Sequence, residues 1–343
     1  MKKENLRILG IESSCDETAA SVVENGRLVH SSIIASQVDL HAQFGGVYPE
    51  LASREHVKAV YAVTNEALRQ AHMQLSDLDA IAVTRGPGLA GSLVVGINFA
   101  KGLAVGAELP LYGINHLEGH IYAAWCSPAD TKPGPEPRFP LITLLVSGGH
   151  TELLLMTNHL NYQRLGSTVD DAAGEAFDKV ARLLELPYPG GPSVQKAAAE
   201  GNPKAFNFPK AKLDEPWNFS FSGVKTAVLR VVHEFKDRGQ VLPVADIAAS
   251  FQASVVSALY DKTITAATEY GAKEIIVAGG VSANKALREA FRSQTAFRVH
   301  IPPISLCTDN AAMIAAAAYQ HALAGEAGNL DFDALPNWHL SAA

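Results

Sequence analysis

Apolar positions in this chain gather into short runs separated by polar turns. Residues 6–11 and 19–23 are β-prone runs on either side of a polar turn, residues 12–18, a pattern that predicts strand, turn, strand. A second unit of the same kind lies at Leu141–Val146 and residues 152–156, around Ser147-Gly148-Gly149-His150-Thr151. Both turns are rich in hydroxyl, glycine or acidic residues, which suggests an internal duplication of a phosphate-facing hairpin. Two unrelated hairpins are the plainer alternative.

Between them, residues 55–71 have the period of an amphipathic helix, residues 80–83 read as a buried strand, and an apolar, glycine-containing helix is predicted over about 92–105. Strands alternating with helices predict an α/β fold with a parallel sheet. The proline-rich segment 127–140 is the best linker candidate. Residues 186–193 read as a stiff loop, 246–270 as one long helix, and Glu274–Ala278 as a buried strand running through Gly279-Gly280 into a helix from about Asn284. Asp309 heads an alanine-rich helix, and residues 326–343 carry no readable pattern.

Composition supports two domains or one large α/β unit with a seam: 343 residues, 48% hydrophobic and 18% charged, leave no case for disorder. Aromatics are only 7%, so small aliphatic residues must fill the core, as suits parallel strands under closely packed helices. The net charge of −7 repels phosphate, so contact with nucleic acid would need a local basic patch, a cation or a partner protein. Cys15, Cys126 and Cys307 form no CxxC pair, which argues against a disulfide framework. Lys2 and Lys3 precede an apolar run that carboxylates soon interrupt, so a signal core is not expected. No run nears about 18 uninterrupted apolar residues. A cytoplasmic protein with no membrane association is the expectation.

The sharpest local chemistry is His116-Leu-Glu-Gly-His120. On a helix the two imidazoles lie one turn apart, about 5–6 Å between Cβ atoms, which suits two ligands of one metal ion. Glu118 stands two residues after His116, about 200° round the helix, so it cannot play the glutamate of an HExxH protease. Asp309 is the candidate third ligand, with a simple helix cap as its alternative role. Imidazole with carboxylate suits Fe(II) or Zn(II). The turn of Leu145, Val146, Ser147, Gly148 and Gly149 lets backbone amides approach an anion, and no Walker or GxGxxG pattern is present. Asp170, Asp171, Glu175 and Asp178 form an acidic run, with Asp171, Glu175 and Asp178 on one helix face; a solvated helix start is the default explanation, and ribose binding the alternative. Cys15 has acidic neighbours, which oppose a thiolate. Asp16 and Glu17 are better placed to act on a metal, water or an attacking group.

Together these segments resemble the TsaD/Gcp/Kae family of tRNA threonylcarbamoyladenosine transferases, of the sugar kinase, Hsp70 and actin (ASKHA) superfamily. The resemblance spans nearly the whole chain: GIESSCDETAASVV, GGVYPELASREHV, TRGPGLAGSLVVG, NHLEGH, LLVSGGHTEL, DDAAGEAFDKVARLL, YPGGP, FSFSGVKTA, SFQASVV, VAGGVSANKALR and CTDNAAMIA. It implies two RNase H-like lobes with an interlobe cleft, lobe I being residues 1–115 completed by about 321–343 and lobe II residues 116–320. It also implies metal ligands at His116, His120 and Asp309, with Fe(II) favoured over Zn(II), and substrate contacts at Leu145 to Gly149, Asp178, Gly191 and Asn284. One departure is Glu185, where the family usually has glycine.

The activity so implied is transfer of threonylcarbamoyl from threonylcarbamoyl-adenylate to the exocyclic amine of the adenosine beside the anticodon, in tRNAs reading ANN codons, with release of AMP. Asp16 is the candidate base and His150 its rival. The implied partners are tRNA, a TsaB paralogue, a TsaE ATPase and a TsaC-type enzyme that supplies the adenylate, with ATP or ADP as further nucleotides. Residues 55–71 offer an apolar face for TsaB or for the core. A metalloprotease and a small-molecule kinase are the rival classes; the first lacks its HExxH glutamate, and the second shares the fold.

Overall fold

The computed structural model describes residues 5–131 and 133–340; Lys2, Lys3 and the last three residues of the tail lie outside them. Two compact units make up the chain, one running through Glu136 and resuming at Pro302, the other Pro137–Ile301.

The first unit opens with β1 (Arg7–Glu12), β2 (Glu17–Glu24) and β3 (Leu28–Ser36), followed by α1 (Val38–Ala42), α2 (Pro49–Gln70), β4 (Ala80–Gly86), α3 (Ala90–Ala107), β5 (Leu111–Asn115), α4 (His116–Tyr122) and β6 (Ser127–Pro128). Its strand order is β5-β4-β1-β2-β3-β6. The meander β1-β2-β3 is antiparallel, whereas β4 and β5 join parallel to β1. The second unit runs β7 (Leu141–Val146), β8 (Thr151–Asn158), β9 (Asn161–Ser167), α5 (Ala173–Leu183), α6 (Gly190–Ala198), α7 (Ser222–Asp237), α8 (Val244–Glu269), β10 (Glu274–Ala278), α9 (Lys285–Ser293) and β11 (Arg298–His300); α10 (Ala311–Leu323) then returns to the first unit. Its order, β11-β10-β7-β8-β9, repeats that of the first sheet without its short edge strand β6, with the same antiparallel meander and the same two parallel additions. The repeated hairpin seen in the sequence is therefore part of a repeated five-stranded topology.

Strands at the centre of each sheet are buried on both faces; in the first, α2 and α3 pack on one and α10 on the other. β7 and β10 are buried at every position, and β1 at all but its first. In the first unit Leu9, Ile11, Ile81 and Val83 pack with Leu93 and Ile97 of α3; in the second, Ile142, Leu144, Ile275 and Val277 pack with Phe177, Phe251 and Phe291. Over its 18 residues α3 has a mean hydropathy of 1.4, long and apolar enough by itself to cross a membrane, but Leu93, Ile97, Ala100 and Ala104 place one face of it in this core. α2 begins before the expected residue 55, because Pro49 stands at its start, where a missing N–H costs nothing.

The observed division differs from the expected one. Residues 116–136 and 302–320 belong with the first sheet, because α4 and α10 pack against each other and α10 packs on β1 and β2. Small residues make that approach possible. A Cβ at Gly10 would collide with the Ala311 carbonyl, and one at Gly119 would lie 2.8 Å from Ile314 Cδ1. The unit boundary after Glu136 falls within the proline-rich segment. Among its described residues, 326–340, the tail forms no helix or strand yet is bound: Asn329 N donates to Leu111 O at 3.0 Å, Leu335 N to Arg85 O at 2.8 Å, and the Arg85 guanidinium lies 5.3 Å from the Phe332 ring centre.

Glu118 joins α4 to α10. His321 Nε2 donates to Glu118 Oε2 at 2.7 Å and its Nδ1 to Glu326 Oε2 at 2.8 Å. Burial opposes charge on this imidazole, but the two carboxylates outweigh it and push its pKa up to about 9. A pKa raised in the folded state gives stability that is complete below the unfolded value of about 6.5 and is lost as pH rises through the folded one. Urea unfolding of the wild type and of His321→Gln should therefore show a stability difference that shrinks by about 2 kcal/mol between pH 6.5 and 9; a constant difference would contradict the charged-histidine assignment.

Candidate functional site

The first unit brings together residues from two distant segments. β5 ends in Asn115, whose Oδ1 accepts from Leu117 N at 2.9 Å and so caps α4. This starts the helix that carries His116 and His120 on one face, as the spacing required. Their rings stand edge to face, 4.7 Å between centres. Asp309 approaches from the head of α10, with Oδ1 3.2 Å from His120 Nε2 and 3.5 Å from His116 Nε2. One ligand atom from each of the three lies within 4.8 Å of the others.

The plainer role for Asp309 does not hold. Asn310 caps α10, its Oδ1 accepting from Met313 N at 3.0 Å, which leaves the Asp309 carboxylate free of that duty. Burial works against its charge, but His116 and His120 beside it hold its pKa well below the carboxylate range. His116 is raised in turn, burial being outweighed by Asp309 and Glu12. His120 is lowered, chiefly by burial. His120 Nδ1 is buried without a hydrogen bond, a costly state for a polar group unless something else engages it, and Asp309 is the group beside its Nε2. Two imidazoles and one carboxylate with an unsatisfied nitrogen fit a divalent cation of the borderline class.

Two residues that sequence reasoning did not single out complete this region. Glu12 ends β1 fully buried, with Oε2 3.1 Å from His116 Nδ1. His56 of α2 donates from Nε2 to Cys15 O at 2.9 Å and accepts at Nδ1 from Thr18 Oγ1 at 2.8 Å, which pins the turn that carries Asp16. A charge closing an otherwise apolar strand, RILGIE, was the available signal for Glu12; His56 gave none in its own helical pattern. Burial, then the Asp16 and Asp309 charges, push the Cys15 thiol far up, in agreement with a non-nucleophilic cysteine. Glu17 rises to about 7, mainly by burial, despite the Ser36 hydroxyl on its Oε1.

The second unit gathers its own set at the carboxyl ends of β7 and β10. Leu145 and Val146 finish β7 inside the core. Ser147 N donates to His150 O at 2.8 Å and Ser147 Oγ accepts from His150 N at 3.2 Å, closing the turn. α5 docks on it through Gly174 N to Ser147 O and Glu175 N to Gly148 O, at 3.2 and 3.1 Å, while Gly148 and Gly149 border open space. Asp178 Oδ1 accepts from Gly190 N at 2.7 Å and so fixes the loop before Gly191. Asn284 caps α9 through Leu287 N at 3.0 Å and donates to Gln252 Oε1 at 2.8 Å. Lys285 N reaches Gln195 Oε1 of α6 at 2.6 Å. The expected contact residues thus lie around the starts of α5, α6 and α9.

The acidic run is divided differently from expectation. α5 starts at Ala173, so Asp170 and Asp171 precede it. Asp170 accepts from Phe221 N at 2.8 Å at the start of α7, and Asp171 pairs with Lys179 and Lys225. Glu185 takes a left-handed φ of 57° just after α5, with Oε1 3.0 Å from Lys236 Nζ. Glycine would take that conformation without strain.

Two repeated sheets of this topology, one carrying a His-His-Asp cluster and the other a glycine turn set among helix starts, define an ASKHA-type two-lobe α/β protein with RNase H-like sheets. Solved structures agree on the fold: HypF of T. kodakarensis superposes with a TM-score of 0.60 at 15% identity, over 94% of this chain and 48% of that one. The family model for TsaD, tRNA N6-adenosine threonylcarbamoyltransferase, matches residues 29–316. Proteins of that name from Thermomicrobium roseum and Anoxybacillus flavithermus are 56% and 52% identical, over 95% and 92% of this chain and 94% and 92% of theirs. The chain belongs to the tRNA N6-adenosine threonylcarbamoyltransferase family, and its activity is transfer of a threonylcarbamoyl group to tRNA adenosine.

The two neighbours at the head of α10 should separate in unfolding and metal-content measurements. Asn310→Ala should lose about 1 kcal/mol of stability with the cap and retain metal; Asp309→Ala should lose bound metal with α10 still capped. Equal metal loss in both would restore the plain structural reading of Asp309.

Proposed function

We propose that the threonylcarbamoyl donor is threonylcarbamoyl-adenylate and the acceptor the exocyclic amine of the adenosine next to the anticodon, in tRNAs that read ANN codons. The amine nitrogen bonds to the carbonyl carbon, the bond from that carbon to the phosphate oxygen breaks, and AMP leaves. The observation that carries this reading is the cluster of buried His116 and His120 with half-buried Asp309 in a chain of this family. His116, His120 and Asp309 would hold one divalent ion, Fe(II) by preference or Zn(II), which would supply Lewis-acid polarisation of a phosphate or acyl oxygen.

The rest falls to the chain's own groups. The amides around Ser147, Gly148 and Gly149, with Leu145 and Val146 anchoring them, receive the anionic acyl-adenylate, and Asp178, Gly191 and Asn284 hold its AMP part. Gly148 and Gly149 are open to a ligand, which supports that role. Asp16 takes the proton from the attacking amine; its turn is held by His56 through the Cys15 carbonyl, as a positioned base requires.

A TsaB paralogue is the proposed partner, with α2 as its docking face. Val60 and Ala67 of α2 enter the core, but Val57 and Tyr61 are 63% and 70% exposed, an outward apolar pair one turn apart. A TsaE ATPase and a TsaC-type supplier of the adenylate complete the proposed system, in the cytoplasm. The second unit has more basic than acidic side chains, so the chain's acidic excess lies in the first, which supports phosphate contacts through the second.

Reconstitution tests the reading: protein, these helper proteins, threonine, bicarbonate, ATP and unmodified tRNA should yield threonylcarbamoyladenosine on digestion. His116→Ala should lose metal and nucleoside formation together; full modification without metal would exclude the Lewis-acid role. In single-turnover transfer from preformed adenylate, Asp16→Asn should slow the rate by about 10²–10⁴-fold, whereas an unchanged rate would remove Asp16 as the base.

A further inference from the structure

Glu12 is a carboxylate at the end of an apolar strand with no exposure to solvent. Such a group is tolerated only where its charge and lone pairs are met. Oε1 accepts from Ser14 N at 2.5 Å. Oε2 accepts from Thr84 Oγ1 at 2.5 Å and from His116 Nδ1 at 3.1 Å. A backbone N–H thus meets one oxygen and two further donors meet the other, so both carboxylate oxygens serve as acceptors.

An accepting neighbour decides which imidazole nitrogen carries the proton. Nδ1 of His116 has to donate toward Glu12, with Ser14 Oγ also 3.1 Å away. Nε2, the atom 3.5 Å from Asp309 Oδ1, is then the one left to bind a cation. His120 has no such help, because its Nδ1 is buried without a hydrogen bond. We infer that Glu12 is a positioning residue: it fixes the His116 ring with the proton on Nδ1 and directs the Nε2 lone pair into the His120 and Asp309 cluster. The inference rests on the metal reading of that cluster. Carboxylate partners of ligating histidines are worth about 10–100-fold in metal affinity, and His116 is the ligand so anchored.

A purely structural role would make Glu12 a support for the Ser14 turn and for β4, with no special link to His116. Thr84→Val separates the two, since it removes a Glu12 partner of the second kind and leaves the His116 contact. Zinc affinity, measured against a competing chelator on the full chain, should fall by about 10–100-fold in Glu12→Gln and stay near wild type in Thr84→Val. Equal loss in both variants, or no loss in Glu12→Gln, would overturn the assignment. Long-range 1H–15N spectra of the zinc-loaded wild type supply a readout that needs no folded variant. The His116 signals should show a proton on Nδ1 and metal on Nε2; ligation through Nδ1 would overturn the proposal. Should wild-type zinc binding be insensitive to His120→Ala, the metal reading itself fails and this inference falls with it. Glu12→Gln binding zinc as tightly as a wild type that does depend on His120 would sink this inference alone.

Discussion

The first unit depends on how closely α10 can lie on β1 and α4. A helix packed backbone to backbone on a strand needs an absence of side chain at the crossing. Gly10 on β1 and Gly119 on α4 supply it, against Ala311 and Ile314 of α10. The alanine run of α10, buried from Ala311 to Ala318, makes the rest of the face equally flat. Because Asp309 directly precedes this helix and Gly119 lies between His116 and His120, the contact that builds the core also sets the spacing of the three polar groups. Packing rigidity thereby becomes ligand geometry: close-packed interiors do not deform gradually, so the cluster has little freedom to spread.

The same contact explains what could and could not be read from the chain alone. The hairpins, the parallel strands and the helical His116 to His120 segment were legible, since each follows from local period or spacing. The long-range pairing that places 116–136 and 302–320 with the first sheet was not. It depends on which apolar faces meet, and an alanine-rich helix gives almost no period with which to orient itself. Asp309 could not be told from a cap for a related reason: either residue of Asp309-Asn310 suits the helix head, and only the fold shows that Asn310 takes the amide. His56 stayed hidden because a buried polar residue on a half-apolar helix looks like its exposed neighbours until its partners, Cys15 O and Thr18, are in place. The tail was unreadable as secondary structure because its described residues, 326–340, form no helix or strand and are held by isolated bonds to β4 and β5.

Repetition of the five-stranded order in both units gives each a hairpin turn after its first strand, but the two turns have diverged in chemistry. In the first unit the turn is acidic and tightly bonded, with the Ser14 amide turned onto Glu12 and Cys15 O onto His56. In the second, Gly148 and Gly149 leave backbone open to solvent and α5 begins immediately beside them. One copy surrounds its turn with carboxylates, the other with open glycine backbone.

That divergence resolves the difficulty of an acidic chain whose substrates are phosphates. Burial is the main reason why the Cys15 thiol is pushed up and Glu17 rises to about 7, and the charges of Asp16, Asp309 and Glu12 nearby add to it. Such crowding of negative charge is unfavourable by itself and repels free phosphate. It is the environment in which a bound dication, or an amine gaining positive character during attack, is stabilised. The second unit has the basic surplus and the glycine turn, so the acidic excess is confined to the first. The net charge of −7 is thus a sum over two units of opposite sign, and it says little about either.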